Sequence, residues 1–263
     1  MDAREAENVF LSVVIPAYNE EGRIAGSLEK IVAHLAAKPF ASEIIVVDDG
    51  SRDATARAAR AVLEGRVAHR VIRRETNIGK GASVKQGVLE ASGEIVLVTD
   101  ADLSTPIEEL DRLLAVLEGG GDVAVGSRAL PDSDVRVRQS RLRRAMGRFF
   151  NRLVRLFVLG GFRDTQCGFK AFRRGAAREL FSRLETAGFA FDVEVLVLCS
   201  KLGYGVREVP VVWLDSRPSR VRLVRGSLGM LKELWRIRRA HGRTRAVDRK
   251  KKGSSPVSGG YWP

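Results

Sequence analysis

Glu94-Ile-Val-Leu-Val-Thr99 runs directly into Asp100-Ala101-Asp102. An unbroken apolar run of this length suits a strand buried on both faces, as in parallel sheets. Side chains alternate along a strand, so residues i and i+2 share a side. At the end of such a strand, both carboxylates project into the crevice where α/β sheets bind ligands. Paired hard oxygen donors there suit a divalent cation that in turn holds phosphates. Asp-x-Asp also occurs in ordinary loops, so its surroundings must decide its meaning.

Upstream, strand-like and helix-like runs alternate. Phe10–Ile15, Glu43–Val47 and Val67–Arg73 read as strands, and Glu20–Ala37, Asp53–Leu63 and Gly79–Ala91 read as helices. This rhythm predicts a mostly parallel, Rossmann-like sheet flanked by helices. Downstream, Thr105-Pro106 opens a helix over Ile107–Leu117, and Asp122–Gly126 is a short strand. Beyond residue 130 the rhythm breaks. A basic helix is expected over about 140–159, then a loop carrying Asp164-Thr-Gln-Cys-Gly-Phe-Lys170. A helix over Asp192–Leu202, a strand over Val206–Trp213 and a last helix over about Ser227–Ala240 follow. The expected organisation is a catalytic domain over 1–222, an amphipathic helix over 223–242 and a basic, disordered tail over 243–263.

The net charge of +13 is concentrated in two segments. Residues 135–163 hold nine arginines and no acid, and residues 217–252 hold fourteen Lys or Arg against two acids. The rest of the chain is net acidic, so the basicity is a local device rather than a general bias. Cys167 and Cys199 form neither a metal-ligand spacing nor a disulfide framework, which points to a reducing compartment. No signal-peptide pattern is present, and no apolar run approaches the length of a membrane span.

Three further turns fall where strands end. Pro16-Ala17-Tyr18-Asn19-Glu20 follows the first strand and leads into a helix N-terminus. That arrangement suits a nucleotide or phosphate, or is a plain turn and cap. Asp48-Asp49-Gly50-Ser51 ends the second strand, where a carboxylate can accept from a base N–H or ribose hydroxyl, or can simply cap the next helix. Asn77-Ile-Gly-Lys-Gly81 supplies glycine for close approach and Lys80 for phosphate charge, without the P-loop spacing. No Gly-x-Gly-x-x-Gly follows the first strand, which counts against a dinucleotide oxidoreductase.

Val13-Val-Ile-Pro-Ala-Tyr-Asn-Glu20, Ile45-Val-Val-Asp-Asp-Gly-Ser51, Asn77-Ile-Gly-Lys-Gly81 and Asp100-Ala-Asp102, in that order, resemble the family 2 glycosyltransferases of GT-A fold. Asp164-Thr-Gln-Cys-Gly-Phe-Lys170, Phe191-Asp-Val-Glu194 and Val209-Pro-Val-Val-Trp213 resemble most the polyprenyl- and dolichyl-phosphate β-glucosyltransferase branch. The resemblance implies that Pro16, Ala17, Tyr18 and Glu20 hold a nucleotide sugar, with Asp48 on its base and Lys80 near its phosphates. It implies that Asp100 and Asp102 bind Mg²⁺ or Mn²⁺, with Ala101 alongside. Arg128 matches an arginine facing a donor or acceptor phosphate. Arg220, after Ser219, matches a position near the pyrophosphate, and Arg217 is a second candidate there. Where the mannosyl branch often has a glutamine ligand, this chain has Ser104, so water becomes the expected third ligand.

The implied reaction is an inverting hexosyl transfer, with glucose and UDP-glucose favoured, to a polyprenyl or dolichyl phosphate. Such an acceptor is already an anion and needs no strong base. A hydroxyl acceptor on a soluble molecule or polysaccharide would need one, with Asp192 or Glu194 as the candidate. Asp192 is equally readable as a helix N-cap. Arg141, Arg144, Arg148, Arg152 and Arg155 form a helical stripe beside Leu142, Met146, Phe149, Leu153 and Leu156. Leu228, Leu231, Leu234, Trp235 and Ile237 repeat the pattern beside Lys232, Arg236, Arg238 and Arg239. Basic amphipathic helices suit an anionic membrane surface, and the alternative is packing on the sheet. The expectation is a peripheral protein on the cytoplasmic face of a membrane, with no nucleic-acid partner. A nucleic-acid-binding protein is the remote rival, since the pI is near 10.4 but no aromatic-basic platform appears.

Overall fold

The computed structural model describes residues 9–136, 152, 154, 159–214, 223–242 and 244–245. The first half runs β1 (Leu11–Ala17), α1 (Glu21–Ala36), β2 (Ser42–Asp48), α2 (Thr55–Leu63), β3 (Ala68–Arg73), α3 (Lys80–Glu90) and β4 (Ile95–Val98). A 3-10 turn (Ile107–Glu109), α4 (Leu110–Glu118), β5 (Val123–Ser127), β6 (Asp134–Arg136) and β7 (Leu159–Gly160) follow. The last part is β8 (Lys170–Arg173), α5 (Arg174–Ser182), α6 (Phe191–Leu202), β9 (Val206–Pro210), β10 (Val212–Leu214), α7 (Leu223–His241) and β11 (Thr244–Arg245).

Seven strands form one sheet in the order β3-β2-β1-β4-β8-β5-β9. Only β8 runs antiparallel to its neighbours. The order reverses between β1 and β4, a topological switch point of the kind that opens a ligand crevice at the carboxyl ends of strands. The register lines those ends up. Ala17 of β1 lies opposite Asp48 of β2, and Val14 of β1 lies opposite Val98 of β4.

The continuous Val and Ile runs bury both faces of the sheet. Val14, Ile45, Val47, Val96 and Val98 face a core built with α3, α5 and α6. Val13, Ile15, Ile44, Val46 and Leu97 face the opposite core, built with α1, α2 and α4. Each such side chain, taken fully from water, contributes roughly 1.5–3 kcal/mol. α6 is buried from Phe191 through Ser200 and stops at Gly203, whose φ of 74° gives a left-handed cap. α7 docks through Leu234 and Ile237, which join the first core.

Three features depart from the sequence reading. Lys170–Arg173 is an inserted antiparallel strand rather than the end of a loop, and α5 follows it at once. The run 206–213 is two strands in different sheets, because β10 pairs with β6 and not with β5. Thr244 and Arg245, expected within a disordered tail, pair with Leu159 and Gly160. The expected basic helix over about 140–159 lies mostly outside the described residues. Arg152 is helical and exposed, and Val154 is helical and buried.

Candidate active site

The Asp100–Asp102 turn is tight and self-bonded. Leu103 N–H donates to the Asp100 carbonyl at 3.1 Å, and Ser104 N–H donates to Asp102 Oδ1 at 3.0 Å. Leu103 takes a φ of 46°, a sparsely populated conformation for a branched residue that surrounding structure must enforce. Ala101 is buried, and both carboxylates remain part-exposed toward the crevice. Ser104 therefore stabilises the turn through its backbone.

The antiparallel β8 brings in residues that the alternating βα units do not. Its first residue, Lys170, lies opposite Val98, the last residue of β4, on one side and Val125, in the middle of β5, on the other. Just before it, Gly168 passes so near Asp100 that a Cβ would meet Asp100 Oδ2 at 2.4 Å. From the other direction α3 presents Lys80, whose Nζ lies 2.5 Å from Asp100 Oδ1 and 5.7 Å from the centroid of the Phe191 ring. Gly79 has a φ of 128°, and a Cβ there would meet the Ala187 carbonyl at 2.4 Å, so glycine is what lets the turn close.

These charges tune one another. Burial works against the Lys80 ammonium, but Asp100, Asp192 and Asp102 around it raise its pKa above the usual lysine value. Burial likewise works against the Asp100 carboxylate, and Lys80, Lys170 and Arg128 hold its pKa below the usual value. Asp100 is thus built to stay ionised beside cations.

The donor set fits a hard divalent cation. Asp100 accepts a cationic group in its present state, and Asp102 shares its turn, with Arg23 Nη1 3.9 Å from Asp102 Oδ2. Among the described residues, no group of three His, Cys, Asp or Glu side chains is placed to hold a metal. The rest of the coordination shell would therefore come from oxygens of a ligand or water.

Asp48, opposite Ala17, is buried. Its Oδ1 accepts the Ser51 N–H at 2.9 Å, while Oδ2 is buried without a hydrogen-bond partner. Arg73 Nε stands 3.8 Å from that oxygen. A buried acceptor left open is costly unless a ligand fills it. Asp49, for which the sequence left a helix cap as one alternative, ties the neighbouring turn. Its carboxylate accepts the Ile78 and Gly79 N–H groups at 3.0 and 2.8 Å and lies 3.3 Å from Arg74 Nη1. Of the first turn, Pro16 and Ala17 are buried, whereas Tyr18 is exposed at the rim. Glu20 is held by Arg23 in a two-bond pair, both bonds 2.7 Å. Asn19 accommodates a φ of 54° by accepting the Arg52 N–H.

Arg128 follows β5 and is gripped by Asp164, with Nε at 2.6 Å and Nη2 at 2.9 Å. Its guanidinium stacks 5.4 Å from the Trp213 ring centroid. Such a bidentate, stacked geometry fixes the plane of an arginine. Asp192 is not an N-cap, since Ala190 holds that position. It is buried and forms an ion pair with Lys170 Nζ, which also donates to the Cys167 carbonyl. Glu194 accepts the Glu185 and Thr186 N–H groups at 3.1 and 2.7 Å and meets His241 Nε2 at 3.2 Å.

The fold thus gathers Asp48, Lys80, Asp100, Asp102, Arg128 and Asp192 at the carboxyl ends of the central strands. Arg217 and Arg220 lie outside the described residues. Sequence reading missed three participants in the network, namely Asp164, Gly168 and Lys170. All three sit in the quoted 164–170 segment, and the Phe169/Ala171 alternation was the available sign of a strand there.

The sequence pattern described as glycosyl transferase family 2 matches residues 12–181, from β1 through α5. A dolichyl-phosphate beta-glucosyltransferase from Dictyostelium discoideum is 36% identical over 244 residues, which cover 88% of this chain and 75% of the relative. The protein of that name from Drosophila melanogaster is 37% identical over 246 residues, covering 89% and 76%. The fold is that of the GT-A glycosyltransferases. Glucosyl-3-phosphoglycerate synthase from Mycobacterium tuberculosis, in complex with Mn²⁺, UDP-glucose and phosphoglyceric acid, matches it with a TM-score of 0.64 at 21% identity, covering 90% of this chain and 84% of that one. With its motifs standing together at the switch point of such a sheet, the chain belongs to glycosyl transferase family 2 and is similar to its dolichyl-phosphate β-glucosyltransferases.

Proposed function

We propose that this protein transfers glucose from UDP-glucose to the phosphate of a polyprenyl or dolichyl lipid, with inversion at the anomeric carbon. The names of the relatives above support the sugar and the acceptor. The observation that carries the reading is the state of the two candidate bases. Asp192 is the buried counter-ion of Lys170, and Glu194 is taken up by two backbone N–H groups and His241. Neither is placed as a base for a hydroxyl, whereas a lipid phosphate attacks as an anion and needs none. The crevice region also holds three cations, Lys80, Arg128 and Lys170, each paired with a carboxylate of the chain.

In this reading Asp48 Oδ2 accepts a base N–H, which would satisfy its open valence. Asp100 and Asp102 hold Mg²⁺ or Mn²⁺. When bound, that ion neutralises charge on the departing diphosphate. Lys80 adds a tethered positive charge next to it, and Arg128, fixed by Asp164 and Trp213, presents its guanidinium to a phosphate. Arg217 and Arg220 are candidates for the pyrophosphate side.

The acceptor's headgroup places the reaction at a membrane, and we read the protein as peripheral on its cytoplasmic face. No described helix is long and apolar enough to cross one. α7 exposes Leu231 and Trp235 beside Lys232, Arg236, Arg238 and Arg239, with Arg239 stacked 5.3 Å from Trp235. Clustered basic residues near an anionic surface are worth about 1 kcal/mol each. Domain limits of 1–222 and 223–242 belong to the same proposal.

The test supplies labelled UDP-glucose, GDP-mannose and UDP-GlcNAc separately to the enzyme with polyprenyl phosphate and Mg²⁺. Label should enter the lipid from UDP-glucose. No lipid-linked product from any of the three would overturn the reading.

A further inference from the structure

At the open edge of the sheet, α1, α2 and the end of β3 line a cleft of about 460 Å³. It is lined by Glu21, Arg52, Asp53, Ala54, Ala56, Arg57, Arg60 and Arg73. None of these residues belongs to the motifs assigned to the donor. Four guanidiniums share this space with two carboxylates, and both carboxylates serve local backbone. Glu21 Oε2 accepts the Ala54 N–H at 2.9 Å, and Asp53 accepts the Thr55 N–H at 3.0 Å and the Glu21 N–H at 3.3 Å.

Two of the arginines are anchored to the walls. Arg60 Nη2 donates to the Val71 carbonyl at 3.2 Å, and Arg73 Nη2 donates to the Ser51 carbonyl at 3.3 Å. Both bonds go to neutral carbonyls, which orient the guanidiniums; Arg73 also faces the Asp48 carboxylate at 3.8 Å, so the charge the cleft offers rests chiefly on Arg52, Arg57 and Arg60. Like charges gathered in one concavity raise the local positive potential and recruit a counter-ion. Guanidinium forks match phosphate oxygens in planar, two-bond geometry.

We propose that this cleft is a second, separate binding site for a phosphate-bearing anion. The phosphate could belong to a soluble metabolite or to an anionic lipid headgroup, since the arginines recognise the group both share. The site would adjoin the donor pocket, because Arg73 spans from the cleft to Asp48.

The test uses the full-length enzyme, with pyrophosphate as the soluble probe in calorimetry and phosphatidylserine vesicles as the lipid probe in flotation. Three proteins are compared: wild type, Arg52→Gln/Arg57→Gln, and Lys80→Ala, which removes a cation from the donor crevice instead. Pyrophosphate binding weakened about tenfold or more in the double arginine variant and kept in Lys80→Ala assigns the cleft to a soluble phosphate. Loss of flotation in the double variant alone, with no pyrophosphate binding in wild type, assigns it to a headgroup. The proposal is overturned if the double variant matches wild type in both assays, or if Lys80→Ala alone abolishes binding. Arg52 and Arg57 are exposed, and an unchanged thermal midpoint shows that each variant folds.

Discussion

Lys80 Nζ lies 2.5 Å from Asp100 Oδ1, so the carboxylate that heads the Asp-x-Asp turn is paired with a cation of its own chain. A divalent ion approaching Asp100 must displace or share with that ammonium. Removing the ammonium should therefore help the metal alone and hurt the nucleotide. In Lys80→Met, Mn²⁺ binding without nucleotide, read by the EPR signal of free Mn²⁺, should tighten about tenfold, or about 1.4 kcal/mol. UDP binding in the presence of Mn²⁺ should weaken. Unchanged Mn²⁺ affinity would show that the pair does not compete.

Asp100→Asn and Asp102→Asn keep shape and lose charge. Each should cut turnover by about a hundredfold or more, roughly 3 kcal/mol of transition-state stabilisation, through loss of cation binding. Circular dichroism and thermal midpoints should stay near wild type, because both side chains are part-exposed. A variant with normal turnover would remove the metal from the proposed function.

Asp192 separates the two acceptor classes. As a buried counter-ion, its replacement by alanine leaves the Lys170 charge uncompensated and should cost about 3–5 kcal/mol in urea denaturation. The double variant Lys170→Met/Asp192→Leu should recover most of that loss. A general base would behave otherwise. Asp192→Asn would then fold normally, lose turnover and flatten the acidic limb of the pH–rate profile.

Glu43 should govern acid stability at the other end of the sheet. Burial works against its charge, but Ser12, Ser92 and Arg70 hydrogen-bond the carboxylate and hold its pKa below the ordinary 4.5. The carboxylate accepts from Ser12 Oγ at 2.6 Å and Arg70 Nη2 at 2.8 Å. A carboxyl lowered in the folded state binds fewer protons there than in the unfolded chain. Its stabilisation is therefore present above 4.5 and lost as pH falls through the folded value. Denaturation at pH 7 and at pH 3 should show a larger drop for wild type than for Glu43→Gln. Equal drops would locate the acid sensitivity elsewhere.

Trp235→Ala combined with Arg236→Glu and Arg239→Glu should abolish flotation with anionic vesicles while leaving the thermal midpoint near wild type, since all three side chains are exposed. Flotation equal to wild type would argue that the outer face of α7 is merely solvated.

The α/β layering and the crevice were legible in the primary structure because both depend on local periodicity. Buried parallel strands are apolar throughout, as in Ile95–Val98, and the turns that line the crevice follow them, as Asp100–Asp102 does. Asp48 and Lys80 could be placed for the same reason. Chain neighbours could not show which charges meet. Lys170 reads as a loop cation, yet it begins an antiparallel strand and meets Asp192, 22 residues away. Arg128 reads as a phosphate ligand, yet Asp164, 36 residues on, sets its plane. Those pairings depend on strand order and register, which arise from long-range packing of both faces of the sheet. Only the folded molecule shows Asp192 meeting Lys170, Glu194 meeting two backbone N–H groups and His241, and the Asp-x-Asp turn holding a cation of its own.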